Sequence, residues 1–375
     1  MATQTPPREA QWIKGTIPGI DTADLETDLM QLRSLSFKRI VPADTPPREK
    51  VRQFLVKEQN RNDTTARDSV VLRALGFVPA AFPLKQFSTD LLTSQLAGYY
   101  DPRTKRFNVV AVSTAHLLVF GAIASLFGYN PDRLVTIHEM DHALDDQYFD
   151  ILAKERIVEK QHNQDAVLAL RALMEGEATW IMMADEVAAF HRSLASMTQA
   201  DMDAIVDSGM SNASLDDVGG RKVPLIFQRS LLFPYLAGAR FVHHLRTLGP
   251  GWGAVNRAWT DLPESTQQIL HPELYSGTRR TPDVVHFARP FVPVGDWKPV
   301  DEDTLGEFLF TVWFEQHTGD PHRELASHWR TDRYRVYRQG DRNSTCWVTE
   351  WDGGPAAEEF KRTVRRIWPA DLVVE

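Results

Sequence analysis

Apolar residues recur at helical spacing in "VRQFLVKEQ" and "DSVVLRALGF", so the stretch from Glu49 to Leu96 predicts a helical entry segment. Ahead of it, "TPPRE" and "ADTPPREK" are punctuated by proline, and the first fifty residues are expected to wrap the surface before helices begin near Glu49. The period changes in "LAGYYDPRTKRFNVVAVS" (96–113), where two runs rich in aromatic and β-branched residues flank the turn chemistry of "DPRTK". A hairpin is predicted, with 107–112 as its second strand.

The stretch "YNPDRLVTIHEMDHALDDQYF" predicts a helix over 131–148, with Asn130 as N-cap, Pro131 at the first helical position and Asp132 where the helix dipole favours a negative charge. A second long helix is expected over 163–192, apolar on more than one face, and a third over 231–248. "SNASLDDVGGRK" (211–222) reads as a loop, and "RPFVPVGDWKPV" as a linker that begins at Pro290. Beyond it, "DRYRVYRQ" and "TCWVTEW" alternate as strands, so a small α+β unit closes the chain.

The expected fold class is α+β and predominantly helical. Its parts are a wrapping segment and helix (1–60), a catalytic domain (61–290) with a small antiparallel sheet over the 131–148 helix, and a C-terminal α+β unit (291–375).

Composition narrows the partners. A net charge of -8 and a pI near 5.9 give no support for nucleic-acid binding, which draws most of its affinity from basic surface. The longest apolar run, His116 to Gly128, falls short of the roughly 18 residues that span a bilayer, and reads as core or as an apolar wall near a site; no transmembrane segment is expected. The N-terminus lacks the charged start and apolar run of a secretory signal, so the expected location is cytoplasmic unless this is a processed form.

With Cys346 as the single cysteine, a metal must be held by histidine and carboxylate. His138 and His142 stand at i and i+4, on one helical face, and Glu139 beside them can reach a water as general base. The third ligand is expected in "ALMEGEATW", where Glu175 and Glu177 are carboxylates in an otherwise apolar helix; Glu175 is the choice and Glu177 the alternative. The implied cofactor is one Zn2+ per chain.

"HEMDH" followed on the next long helix by "EGEA" resembles the gluzincin metallopeptidases, whose third zinc ligand is the glutamate of an E-G-x-A-type motif, here Glu175. "FPYLAGARFVHHL" is similar to the P-Y-x-x-G-a segment of the aminopeptidase N-like gluzincins. That resemblance makes Tyr235 the residue that stabilises the oxyanion, with Gly238 at the matching glycine. A longer likeness, in scattered blocks over 70–375, is to a poorly characterised group of bacterial HExxH proteins that share "GYYDPRTK", "HALDDQYFD" and "STQQILHPELY". The chain departs from that group in "SHWRTDRY", where most members have a glycine-rich "GW-G-D-R-Y", and in lacking their export signal. The resemblance implies a zincin-like core and a zinc peptidase that acts on a peptide or protein.

His271 is a second candidate for the oxyanion donor and Tyr275 a third. Asp146, or its neighbour Asp145, is a candidate to orient an imidazole, and Thr179 to orient the carboxylate of Glu175. "HH" at 243–244 reads as helix surface. The strand carrying Phe107, Val109 and Val110 is expected to lie along the cleft and pair with an extended substrate. Two other functions fit the same motifs: a zinc hydrolase of a small amide, epoxide or metabolite, and a catalytically silent zincin-fold binding module.

Overall fold

The computed structural model describes residues 11–61, 64–95, 98–110, 131–283, 285, 287, 293 and 295–368. The apolar run 116–128 and the expected N-cap Asn130 lie outside them. The described chain is α+β and mostly helical. Among the described residues no helix is long and apolar enough to cross a membrane.

Helix α1 (Thr22–Arg33) corrects the expectation for the N-terminal segment. Asp21 caps it by accepting from Ala23 and Asp24 N–H, and Leu25, Leu29 and Arg33 on its inner side are fully buried. The segment therefore enters the core well before Glu49. Helices α2 (Arg48–Arg61), α3 (Thr65–Ala74) and α4 (Leu84–Gln95) follow, as the helical spacing predicts.

Strands β1 (Ile13–Lys14), β2 (Val41–Asp44), β3 (Gly98–Asp101) and β4 (Arg106–Val109) form one sheet in the order β1-β2-β4-β3. The hairpin β3–β4 is antiparallel, but β2 pairs with β4 in parallel (Ala43↔Phe107, Asp44↔Asn108), so the sheet is mixed where an antiparallel one was expected. Phe107 and Val109 are buried in an interior strand with partners on both sides, and Val110 is buried just beyond it. An interior strand has no free backbone edge, so β4 cannot receive a substrate strand; the edge strands of this sheet are β1 and β3, and β3 is the one next to β4.

Helix α5 (Pro131–Phe149) runs against β3 and β4, and every residue from Leu134 to Asp146 is buried. Helices α6 (Ile151–Glu159), α7 (Gln164–Ala188), α8 (Gln199–Asn212) and α9 (Leu225–Thr247) follow it. Alanine, leucine and methionine give α7 strong helical propensity, and the Asn163 side chain caps it by accepting from Ala166 N–H.

Helices α7 and α9 touch through backbone at Gly176 and Gly238. A Cβ on Gly238 would stand 2.0 Å from the Ala172 carbonyl oxygen, and one on Gly176 would stand 2.1 Å from the Gly238 carbonyl carbon. Only hydrogen fits between these helices. Gly238→Ala should therefore cost about 3 kcal/mol, the upper end for an added methyl in a packed core. A denaturant titration that shows no loss would contradict this account of the crossing.

Three short helices, α10 (Gly253–Ala258), α11 (Thr266–Leu270) and α12 (Glu273–Ser276), lead to the C-terminal part. There β5 (Lys298–Asp303), β6 (Trp329–Gln339) and β7 (Arg342–Trp351) form an antiparallel sheet with α13 (Gly306–Thr318), α14 (Arg323–Ser327) and α15 (Gly354–Ile367). One apolar core runs from Ile13 through Phe241 to Val364, across both expected boundaries.

Candidate metal centre

The i, i+4 spacing on α5 turns His138 and His142 toward α7, and there Glu175 meets them. His138 Nε2 lies 3.1 Å from Glu175 Oε2 and 3.2 Å from His142 Nε2, and His142 Nε2 lies 3.3 Å from the same oxygen. Zinc bonds of about 2.0–2.1 Å in a tetrahedron set neighbouring ligand atoms about 3.3–3.4 Å apart. The three atoms thus already stand near the spacing of one tetrahedral face. Two nitrogens and one carboxylate oxygen are also a donor set that suits zinc.

The electrostatics agree with a site built around positive charge. Burial disfavours the His142 cation, but Glu175 overrides it and pushes this imidazole up to about 10. Burial would raise the Glu175 carboxyl, yet His142 and His138 hold it below the usual carboxylate range.

Glu139 is buried beside the histidines, and its Oε2 accepts the Tyr100 N–H at 2.8 Å. Burial raises its carboxyl, opposed by the two imidazoles. The strand fits closely here: a Cβ on Gly98 would stand 2.9 Å from Val135 Cγ1 and 3.2 Å from Glu139 Cγ. Tyr235 on α9 stacks on His138, with ring centroids 5.6 Å apart and planes 21° apart. Burial, then the charges of Glu175 and Glu139, keep its phenol protonated, and it hydrogen-bonds Glu175. An O–H donor therefore stands beside the cluster.

Other expected residues are engaged elsewhere. Glu177, the alternative ligand, is fully buried on another face of α7, where its Oε1 lies 2.5 Å from Arg33 and its Oε2 accepts Trp259 Nε1–H at 2.7 Å. Asp146 accepts from Tyr100 Oη (2.7 Å), Lys105 Nζ (2.6 Å) and the Ile151 amide (3.2 Å), so it ties the β3–β4 hairpin to α5. Asp145 pairs with Arg33 at 3.2 Å. Thr179 is fully buried, and its hydroxyl has no hydrogen-bond partner among the described residues, so it does not hold Glu175.

His271 Nε2 lies 2.8 Å from Glu307 Oε1 and lines a separate cavity of about 280 Å3, whose wall on α9 is Arg229, Phe233, Ala237 and Arg240. Tyr275 donates to the Asp261 carbonyl at 2.7 Å. His243 is fully buried and accepts Trp180 Nε1–H at 3.2 Å, so only His244 keeps the surface position expected for both.

The pair in that cavity carries a pH signature. Burial opposes the His271 cation, but Glu307 outweighs it and the imidazole is raised, so its contribution to stability is full below its unfolded value of about 6.5 and is lost as pH rises through the folded value. Glu307 is itself raised, by burial, and carries the same sign. Glu307→Gln should flatten the decline of Tm above about pH 6.5. A variant whose Tm still falls in parallel with wild type would assign the decline to other groups.

Sequence reasoning did not single out Arg33, Asp141 or Lys105. The helical pattern already set Asp141 and Asp145 at i and i+4; their convergence with Glu177 is tertiary. The three carboxylates lie within 4.8 Å of one another.

Residues 293–371 match the family model of a domain of unknown function, DUF8575, which covers the C-terminal sheet and its helices. None of the candidate ligands falls inside that match. No curated protein and no solved structure matches the chain.

Proposed function

We propose that the chain is a zinc-dependent metallopeptidase that holds one zinc ion with His138, His142 and Glu175. The observation that carries this reading is the convergence of three ligand atoms at 3.1, 3.2 and 3.3 Å, with an anchored carboxylate and a phenol beside them. Bound there, zinc would polarise a carbonyl and lower the pKa of water toward about 7.

The chain's own groups supply the rest. Glu139 takes a proton from the attacking water and returns it to the leaving amine. The Tyr100 amide, on one oxygen, fixes the direction of the other. Tyr235 donates to the developing oxyanion, where a preorganised donor is worth about 3 kcal/mol. An extended peptide adds to the edge of β3 through backbone groups other than the Tyr100 amide, which Glu139 already takes.

Metal content by mass spectrometry tests the reading. Wild type should carry about one zinc per chain and Glu175→Ala close to none, since a carboxylate ligand is lost. A quenched peptide library supplies the second readout. Zinc without peptide cleavage would redirect the proposal to a small amide, epoxide or metabolite as substrate. Absence of zinc from wild type would end it.

A further inference from the structure

We propose that Asp141, Asp145 and Glu177 form a second cation site, for a hard divalent ion of calcium size, beside the candidate zinc centre. Helices α5 and α7 repeat one construction there. His138 and His142 are met by Glu175; Asp141 and Asp145, also at i and i+4, are met by Glu177, two residues further along α7.

The one ligand oxygen that each carboxylate offers lies within 4.8 Å of the other two. Three oxygens at that limit stand about 2.8 Å from a common centre, within a few tenths of an ångström of the 2.3–2.6 Å calcium bond, so a small side-chain shift lets the three share one ion. All are carboxylate oxygens, which suit calcium, magnesium or manganese better than a softer metal.

Charge and hydrogen bonding point to a missing partner. Asp141, Asp145 and Glu177 are at 0%, 1% and 0% exposure, and the guanidinium in contact with the group is Arg33, on Glu177 Oε1 and Asp145 Oδ1. Trp259 occupies Glu177 Oε2. Asp145 Oδ2 and both Asp141 oxygens are buried without a hydrogen-bond partner among the described residues. Arg246 lies over Trp252, 4.3 Å from the ring centroid, and makes no ion pair with the carboxylates among the described residues. Ionised, three carboxylates against Arg33 in contact and Arg246 acting on Glu177 at longer range carry net negative charge, which a divalent ion cancels. Burying such charge unpaired is strongly unfavourable.

Occupancy of this site does not depend on Glu175 or the two histidines. The test starts from the full chain stripped with a chelator, reloaded with one equivalent of zinc and titrated with calcium. Tm should rise by about 3 °C at calcium 100-fold above Kd. Terbium, as a calcium stand-in, should give saturable one-site emission excited through tryptophan, because Trp259 bonds Glu177, and calcium should displace it. Asp141→Asn, which keeps the side-chain volume, should lose both responses, whereas Glu175→Ala should keep them.

A wild-type Tm indifferent to calcium, magnesium and manganese would overturn the proposal, as would an undiminished response in Asp141→Asn. Should that variant fail to fold, the wild-type terbium titration decides: one displaceable site supports the proposal, and absence of emission ends it.

Discussion

Glu139→Gln is expected to lower kcat/KM for peptide hydrolysis by a factor on the order of 10^2 to 10^4 while the zinc content stays at wild type. Glutamine has nearly the same shape and can still accept the Tyr100 amide, so β3 and the helix beneath it keep their places. What it lacks is basicity: it cannot take a proton from water or return one to an amine. The loss is therefore of proton transfer, with little effect on binding. Kinetics on a cleaved peptide, run with metal analysis of the same sample, separate these quantities. Retained activity would remove Glu139 from its role. Loss of zinc together with activity would mean that the carboxylate supports the ligands and does no proton transfer.

Arg33→Met should destabilise the whole chain by about 3–5 kcal/mol, the range for removing one partner of a buried ion pair. Arg33 lies 2.5 Å from Glu177 and 3.2 Å from Asp145, and its guanidinium packs over Trp252 at 4.4 Å. Methionine fills the volume but leaves those carboxylates without their contacting cation. Urea unfolding of wild type and variant measures the difference. A change below 1 kcal/mol would show that something other than Arg33 balances the cluster. The same contact bears on the N-terminus. Deleting residues 1–34 should give a chain that aggregates; a releasable cover over the cleft would instead leave an activated enzyme.

Helix α5 was legible because its evidence is local. The i, i+4 histidines, the adjacent glutamate and Pro131 lie within nineteen residues of one helix, and the structure places that helix over Pro131–Phe149. Asn163 likewise caps α7 where its sequence position suggests. The E-G-x-A likeness agrees with the choice of Glu175 over Glu177, and of the two only Glu175 meets the histidines.

The failures have a common physical cause. The place of β4 inside its sheet depends on β2, some sixty residues earlier, and nothing near Phe107 encodes that parallel partner. The helix α1 was obscured because proline at both ends of the segment outweighed Asp21 and the Leu25–Leu29 spacing. Asp146, Thr179 and His271 were assigned from their neighbours in sequence. Their partners, or for Thr179 the absence of one, are set by how distant elements pack.

The backbone contact between Gly176 and Gly238 fixes more than stability. Glu175 stands beside one of these glycines, and Tyr235 lies three residues before the other, so their separation is gauged by peptide units that have no rotamers to adjust. Repacking the core around them can change the side chains beside Glu175 and Tyr235 but not the distance between the two helices. On the proposed function, a change of specificity would therefore be expected from side chains near β3 and the far ends of α7 and α9, with the crossing as a fixed gauge.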